Sequence, residues 1–525
     1  MTATLQLSRD THVYIGLGAA TGALGAAGYR PNATLWKLPV LDGFSFSQAT
    51  ATTEVTLNEM QDSTGASNRG RALFTDALEP AEWSFSTYAR PVLVPGTPAA
   101  QTAVEEILWA MFFGAKSWDA ANKEWDIGAL ADKVVTDRGT TNQTTMKLGS
   151  QDSDRAELGT FDLYFVLGGC TPGADEEYYS EANGQTIYKL AGCVVNSAGV
   201  DFDIDGITTL NWSGFGATVS QLDATETIDF KTTSTGTLGR TGVTSTTNFL
   251  RNRIASLSVV PVTQNIDGAS TGFASGAIQT YSVSPTALGG TPVPGSYTTK
   301  VSATGVTITG SGALAEFAIK VNTDGSYTVN LTAAGNGFAS GDVITINAAT
   351  GLTNSTGAVV AAGTGNIVVT VGTAAAAGDD FQASYNLILT GGSINMENNI
   401  TFLTPEELCR VNTPIGHITG SRTVSGSFTC YLNDDASGAD NKSAAFFRDL
   451  ASATHKTRNE FALAFTVGSV GGAATDLGIK FEFPTAHIDI PTHQIEDVIS
   501  LETNFHALPS SITEADEVVI TYKGK

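Results

Sequence analysis

Charge is scarce in this chain of 525 residues, and positive charge scarcest: Asp, Glu, Lys and Arg make up 15% of it, and 28 Lys and Arg face 52 Asp and Glu for a net charge of -24. Binding duplex phosphates requires clustered Lys and Arg that displace counterions, and no such cluster appears, which argues against a DNA-gripping role. An acidic surface over which DNA slides without sticking remains compatible with this balance. Cysteine is nearly absent as well. Cys170, Cys193, Cys409 and Cys430 are widely spaced, with no CxxC and no nearby His to complete a metal set, so buried free thiols are expected. The six histidines (His12, His417, His455, His487, His493, His506) include no HExxH, and no Ser sits in GxSxG. No catalytic, cofactor or metal residues are therefore assigned. No apolar run approaches the ~18 residues of a membrane span, and Met1 to Asp10 lacks a charged leader followed by an apolar core. A soluble product made in the cytoplasm is expected.

What is present is hydrophobic residues at 42%, enough to exclude a disordered chain, together with 56 Gly and abundant Thr, Ser and Ala. Recurrent Val, Ile and Phe alternation among these residues is the composition of many short strands joined by tight turns. The expected class is mainly β, and the length implies three or so compact units.

One pattern occurs twice. Gly43 to Leu57 reads as a long strand that runs into a polar stretch holding Gly65, Gly70 and two Arg, then resumes as Glu82 to Tyr88. Gly392 to Phe402 is likewise followed by a polar stretch with Gly416, Gly420 and Arg422, then by Ser425 to Leu432. Each is a long hairpin with an extended tip. A helix follows in both. Thr102 and Glu105 form a capping box ahead of the stripe Val104, Ile107, Leu108, Met111 and Phe112, and Ser443 precedes Ala444, Phe447, Leu450 and Ala451. From Phe85 to Thr102 is 17 positions and from Phe428 to Ser443 is 15. Apolar strands then come at Phe161 to Leu167 and Phe461 to Val467, the first after a longer excursion (Lys116 to Glu157). Closing strands follow at Ile187 to Val195 with Val200 to Val219, and at Ile479 to Phe483 with His487 to Phe505; Ile204 to Leu210 parallels Ile495 to Leu501. Leading strands are His12 to Leu17 and Arg253 to Pro261.

The predicted organisation is a first β unit over 1-245, a second over 246-261 and 385-525, and an inserted block over 262-384. That block is rich in Gly, Ala and Thr, carries only eight charged residues, shows Asp324-Gly325 and Gly341-Asp342 turn signals, and alternates through Phe317 to Val321 and Tyr327 to Leu331. It reads as a small immunoglobulin-like or comparable β-sandwich, an outward decoration.

Three chemical lures have bland readings. Asp201, Asp203, Asp205 and Gly206 imitate the start of a calcium loop, but Trp212 stands where the bidentate Glu belongs, and a strand with Phe202 and Ile204 inward explains the spacing better. Gly16, Gly18 and Gly22 lack the long helix that a dinucleotide loop needs, since Gly25, Gly28 and Pro31 follow. Glu105-Glu106 and Glu406-Glu407 sit at helix starts, where they favour the dipole.

The stretch Leu35 to Gln48, continued by Glu79 to Pro91, resembles the hairpin of bacteriophage tail tube proteins, and Ile394 to Leu432 resembles it more loosely. The likeness covers about three quarters of the chain and rests on pattern and element order, without a diagnostic motif. It implies two tandem tube-like β-sandwich or barrel folds, each with one flanking helix, plus the inserted β-sandwich. It further implies a non-enzymatic virion protein whose rings stack into a tube that conducts the genome. With two folds per chain, three chains complete a six-fold-like ring. Partners would be further copies of the chain, tape-measure and tail-terminator or baseplate proteins, a sheath in a contractile tail, and passing duplex DNA without specific binding; no membrane and no cofactor enter. The hairpin tips are the stacking candidates (Asn58, Asp62, Arg69, Arg71, Glu406, Arg410, Arg422), with solvated loop charges as the alternative. Asp201, Asp203, Asp205 and Asp489 are the lumen-facing candidates, although alternation gives two faces without saying which points inward. A β-rich carbohydrate-binding or adhesin-like protein is the alternative reading, and a two-carboxylate glycosidase a third for which no spacing selects a pair.

Overall fold

The computed structural model describes residues 11-20, 31-55, 63-66, 72-94, 101-119, 124-126, 143-147, 158-168, 171-172, 177-179, 185-222, 228-229, 249-261, 276-374, 385-404, 412-433, 443-451, 460-470, 476-509 and 516-524, less 33, 116, 204-205, 277, 286, 355-358, 360 and 496-497. The described chain is mainly antiparallel β. Its strands follow the period-two rule: Thr209–Gly216 and Phe461–Gly468 alternate buried and half-buried positions without a break.

Two sets of ladders run in the same order. In the first, Thr34–Leu38, His12–Leu17, Phe161–Leu167, Thr186–Asp203, Thr209–Gly216, Ala72–Tyr88 and Ser45–Val55 each pair antiparallel with the next. In the second, Tyr385–Leu387, Ala255–Pro261, Phe461–Gly468, Gly478–Ile488, Ser500–Leu508, Thr423–Tyr431 and Leu389–Glu397 do so. The likeness extends to an eighth strand. Thr218–Gln221 pairs with the start of Thr186–Asp203, and Val519–Lys523 with the start of Gly478–Ile488.

The two sets are joined by a ladder between Thr186–Asp203 and Leu389–Glu397, running from Ser197↔Glu397 to Asp203↔Gly391. Sequence reading placed a break between Val195 and Val200, but a single strand of 18 residues spans it. The length follows from its partners. Its first half is needed by Phe161–Leu167 and its second by Thr209–Gly216, with a register shift between Val195 and Ser197 just inside the second ladder.

The main core is common to both sets. Phe202 stacks on Phe465 at 5.7 Å, and Trp109 packs on Trp212 at 4.6 Å and on Phe481 at 5.9 Å. The helix Glu106–Phe112 lies inside this core with all seven residues buried, so it is apolar all round except for its acidic start, and the predicted stripe understates its burial. Nor does the capping box form. Glu105 is the N-cap but makes no side-chain cap bond, and Thr102 belongs to the short strand Gln101–Ala103. Glu105 and Glu106 are 1% and 0% exposed and are spent on partners elsewhere. Ser443, which opens the second helix Ser443–Ala451, donates to the Tyr431 carbonyl (2.7 Å) and accepts from the Asn433 N–H (2.8 Å), tying helix to hairpin.

Within the inserted block, Ile278–Ser284, Asn366–Ala374, Val343–Asn347 and Val306–Ile308 make a four-stranded sheet, and Gly295–Lys300, Ala313–Val321 and Tyr327–Asn336 a three-stranded one. They enclose a separate core that includes Phe317, Ile319, Ile344, Ile346 and Val369.

Candidate functional surface: the polar face of the joined sheet

Across the joining ladder, eight strand segments lie side by side in the order 45-55, 72-88, 209-216, 194-203, 389-397, 423-431, 500-508 and 485-494. One face of this sheet is aromatic and buried, with Trp83, Phe85, Trp212, Phe428 and Phe505 at 3% exposure or less. Its other face is polar. Ser45 and Ser84 share a hydrogen bond of 2.8 Å, Ser197 and Ser213 one of 2.7 Å, and Ser393 and Ser427 one of 3.2 Å, each between cross-strand neighbours. Ser86 donates to Asn211 Oδ1 (2.7 Å), Asn211 Nδ2 to Asp201 Oδ2 (2.7 Å), and Asn395 Nδ2 to Glu397 Oε1 (3.0 Å).

None of the eight segments contains Lys or Arg, whereas Glu82, Asp201, Asp203, Glu397, Glu502 and Asp489 lie on the polar face or at its exposed edge. Small hydroxyls bonded to one another leave a smooth surface, and the uncompensated carboxylates give it one sign of charge. Two shallow, open depressions interrupt it, one of about 430 Å³ over Ser84, Ser197, Asp201, Asn211 and Ser393 and one of about 290 Å³ over Ser45, Ser47, Glu82 and Ser213. Such a face repels a polyanion and offers nothing that would fix one in place.

Of the lumen candidates, Asp201 and Asp203 are exposed on either side of buried Phe202, and Asp489 is exposed opposite Asn504, to whose carbonyl its N–H donates at 2.9 Å. The joined sheet thus carries residues from both halves on one surface. Asp205 lies outside the described residues. So do Asn58, Asp62, Arg69, Arg71, Glu406 and Arg410 of the stacking set. Arg422 is described and half-buried: its Nε donates to Asn398 Oδ1 (3.0 Å) and its Nη1 lies 4.0 Å from Glu517 Oε2. The two hairpins touch where Leu78 donates to the Asn412 carbonyl (2.8 Å) and Asn412 to that of Asp76 (3.1 Å). Cys193 and Cys430 are buried free thiols; Cys170 and Cys409 lie outside the described residues.

Among the described carboxyls, one departs strongly from its ordinary range. Burial pushes the Glu105 carboxyl up from 4.5 to about 7 against the hydrogen bond from Tyr522 and the charge of Arg90. The Tyr522 hydroxyl donates to Glu105 Oε1 (2.8 Å) and accepts from Trp109 Nε1 (2.8 Å); the Arg90 N–H also reaches Oε1 (3.0 Å). Glu106 Oε1 accepts from Trp125 Nε1 at 2.9 Å. A perturbed acid at an open cleft would suggest catalysis. This one is sealed, and its partners are structural: it locks the helix Glu106–Phe112 to the strand Val519–Lys523, which in turn pairs with both Gly478–Ile488 and Gln143–Lys147. The sequence held no signal for this hub, because its members lie 413 and 417 positions apart. The missing Lys and Arg, by contrast, could have been found by tallying charge strand by strand.

No family model matches the chain. Over 522 residues the chain is 22% identical to the tail tube protein pb6 of Escherichia phage T5, an alignment that covers 99% of this chain and 76% of that protein. The chain is thus similar, over nearly its whole length, to a phage tail tube protein. The matched span includes every ladder described above, so the likeness runs along the whole chain and is not confined to the hairpins from which the sequence resemblance was drawn.

Proposed function

We propose that the tube protein polymerises into stacked rings, three chains to a ring, and that the polar face of the joined sheet lines the bore through which the genome passes. The single observation that carries this reading is the pair of like-ordered ladder sets fused into one sheet with a Lys- and Arg-free face. Two equivalent units per chain, over 1-245 and over 246-261 with 385-525, supply the six-fold-like repeat from three subunits, and closure removes edges that would otherwise aggregate. Its work is mechanical and electrostatic, not enzymatic: joined sheets make a rigid wall, and the carboxylates Asp201, Asp203 and Asp489 keep duplex DNA mobile. The inserted block 262-384 decorates the outside. Hairpin tips reach the next ring, with Asn58, Asp62, Arg69, Arg71, Glu406, Arg410 and Arg422 as contact candidates. Assembly takes place in the host cytoplasm on a tape-measure protein, between terminator and baseplate proteins and, in a contractile tail, under a sheath. Negative-stain microscopy of the purified protein tests this: rings or tubes of uniform bore are expected, and monodisperse monomers at every concentration would refute it in favour of a binding module.

A further inference from the structure

The two ladder sets match strand for strand except at one place. In the first set, residues 199-201 pair with 209-211 on one side and with 393-395 on the other. Through Leu210 and Leu501, both buried, the counterpart of 199-201 is Thr492–Gln494, which pairs with 500-502 on one side. Among the described residues its other side has no ladder, and all three residues are exposed. The counterpart of 393-395 is likewise open. Phe85 corresponds to Phe428, so the Ser393↔Ser427 pair corresponds to Ser45↔Ser84, and among the described residues Ser45–Val55 pairs only with Ala72–Tyr88. Side chains mark the same correspondence. Asn211 donates to Asp201 in the first set, and at the matching positions Gln494 donates to Glu502, amide and carboxylate exchanged.

We infer that the two open edges join head to tail between copies of this chain, Ser45–Ser47 of one against Thr492–Gln494 of the next, in the register of the ladder already present inside the chain. Since Asp201↔Ser393, Val200↔Ile394 and Gly199↔Asn395 are the internal pairs, the intermolecular pairs are Gln494↔Ser45, His493↔Phe46 and Thr492↔Ser47. The inference rests on the ring reading above and adds to it which edges meet and in what register. An open strand edge is a template for another chain, and a head-to-tail contact closes into a ring when its rotation repeats a whole number of times. Here the internal seam supplies the rotation. Polar faces then run on without interruption, because Gln494 and Ser45 both lie on the face that carries Asp201 and Ser393.

The test uses the full chain with Ser45→Cys and Gln494→Cys together, assembled and treated with a short bis-maleimide; Cβ atoms of directly opposed residues lie about 5 Å apart, within its reach. Denaturing gels should show two-chain and three-chain species and nothing larger, absent from either single variant and from an out-of-register pair, Glu54→Cys with Gln494→Cys. Rings visible by microscopy without this cross-link, or with equal cross-linking of the out-of-register pair, would overturn the seam while leaving the ring reading intact. Failure of the unmodified protein to form rings at all would overturn the ring reading instead.

Discussion

Replacing Glu105 by Gln should flatten the stability of the protein between pH 5 and 8. In the folded chain the carboxyl titrates at about 7, held up by burial, whereas its ordinary value is 4.5. A carboxyl whose folded pKa is raised contributes its full stability below the lower value, and that contribution is lost as pH rises through the upper one, because the unfolded chain releases its proton first. The window is therefore 4.5 to about 7, and at 1.36 kcal/mol per pH unit the loss across it is about 3 kcal/mol. Gln keeps the shape and an oxygen that accepts from Tyr522 and from the Arg90 N–H, but it has no proton to lose. Urea unfolding of wild type and Glu105→Gln at pH 5 and pH 8 measures the difference directly. Wild type should lose stability relative to the variant over this interval by on the order of 3 kcal/mol, with the two closest at pH 5. Parallel pH profiles, or a variant that is relatively worse at pH 8, would refute the assignment of a raised pKa to this carboxyl and with it the account of the sealed hub.

Asn398 is 2% exposed and its Nδ2 donates to the carbonyls of Phe112 and Val195, both at 3.1 Å, while Oδ1 accepts from Arg422; Asn398→Ala should cost about 1-3 kcal/mol through buried acceptors left unpaired, read as a lowered urea midpoint. Tyr522→Phe removes the hydroxyl shared by Trp109 and Glu105 and should cost a similar amount, about 1-3 kcal/mol, with little change in the native circular dichroism at 25 °C. Asp201→Lys combined with Glu502→Lys would place cations on a face that has none; rings should still form, and DNA retention in an electrophoretic mobility assay should appear at low salt and vanish as salt rises, whereas wild type retains none.

Much of this was legible in the chain itself. The hairpin at residues 45-88, the helices after Glu105 and at Ser443, and the strands at Phe161 and Phe461 all follow from local rules, since side-chain period and helical spacing are properties of neighbouring residues. Asp201, Phe202 and Asp203 show the same thing on a small scale: alternation alone put the two carboxylates on one face and the ring on the other. The shape of the capping box was equally visible and misleading. Thr102 and Glu105 have the right spacing, but Thr102 belongs to a short strand and a distant tyrosine claims Glu105, and a buried hydrogen bond is worth more than an exposed cap.

The sequence by itself determined the β class, the recurrence of one strand-and-helix plan, and a surface poor in positive charge, because composition and periodicity act within a few residues of each position. Only the tertiary structure decided that Thr186–Asp203 lies against Leu389–Glu397 to fuse two sheets into one, that Val519–Lys523 returns to Gln143–Lys147, and that Ser45–Ser47 and Thr492–Gln494 are left as open edges. Such pairings join positions hundreds of residues apart through backbone groups common to every residue, and they are selected by how the two halves bury a shared aromatic core.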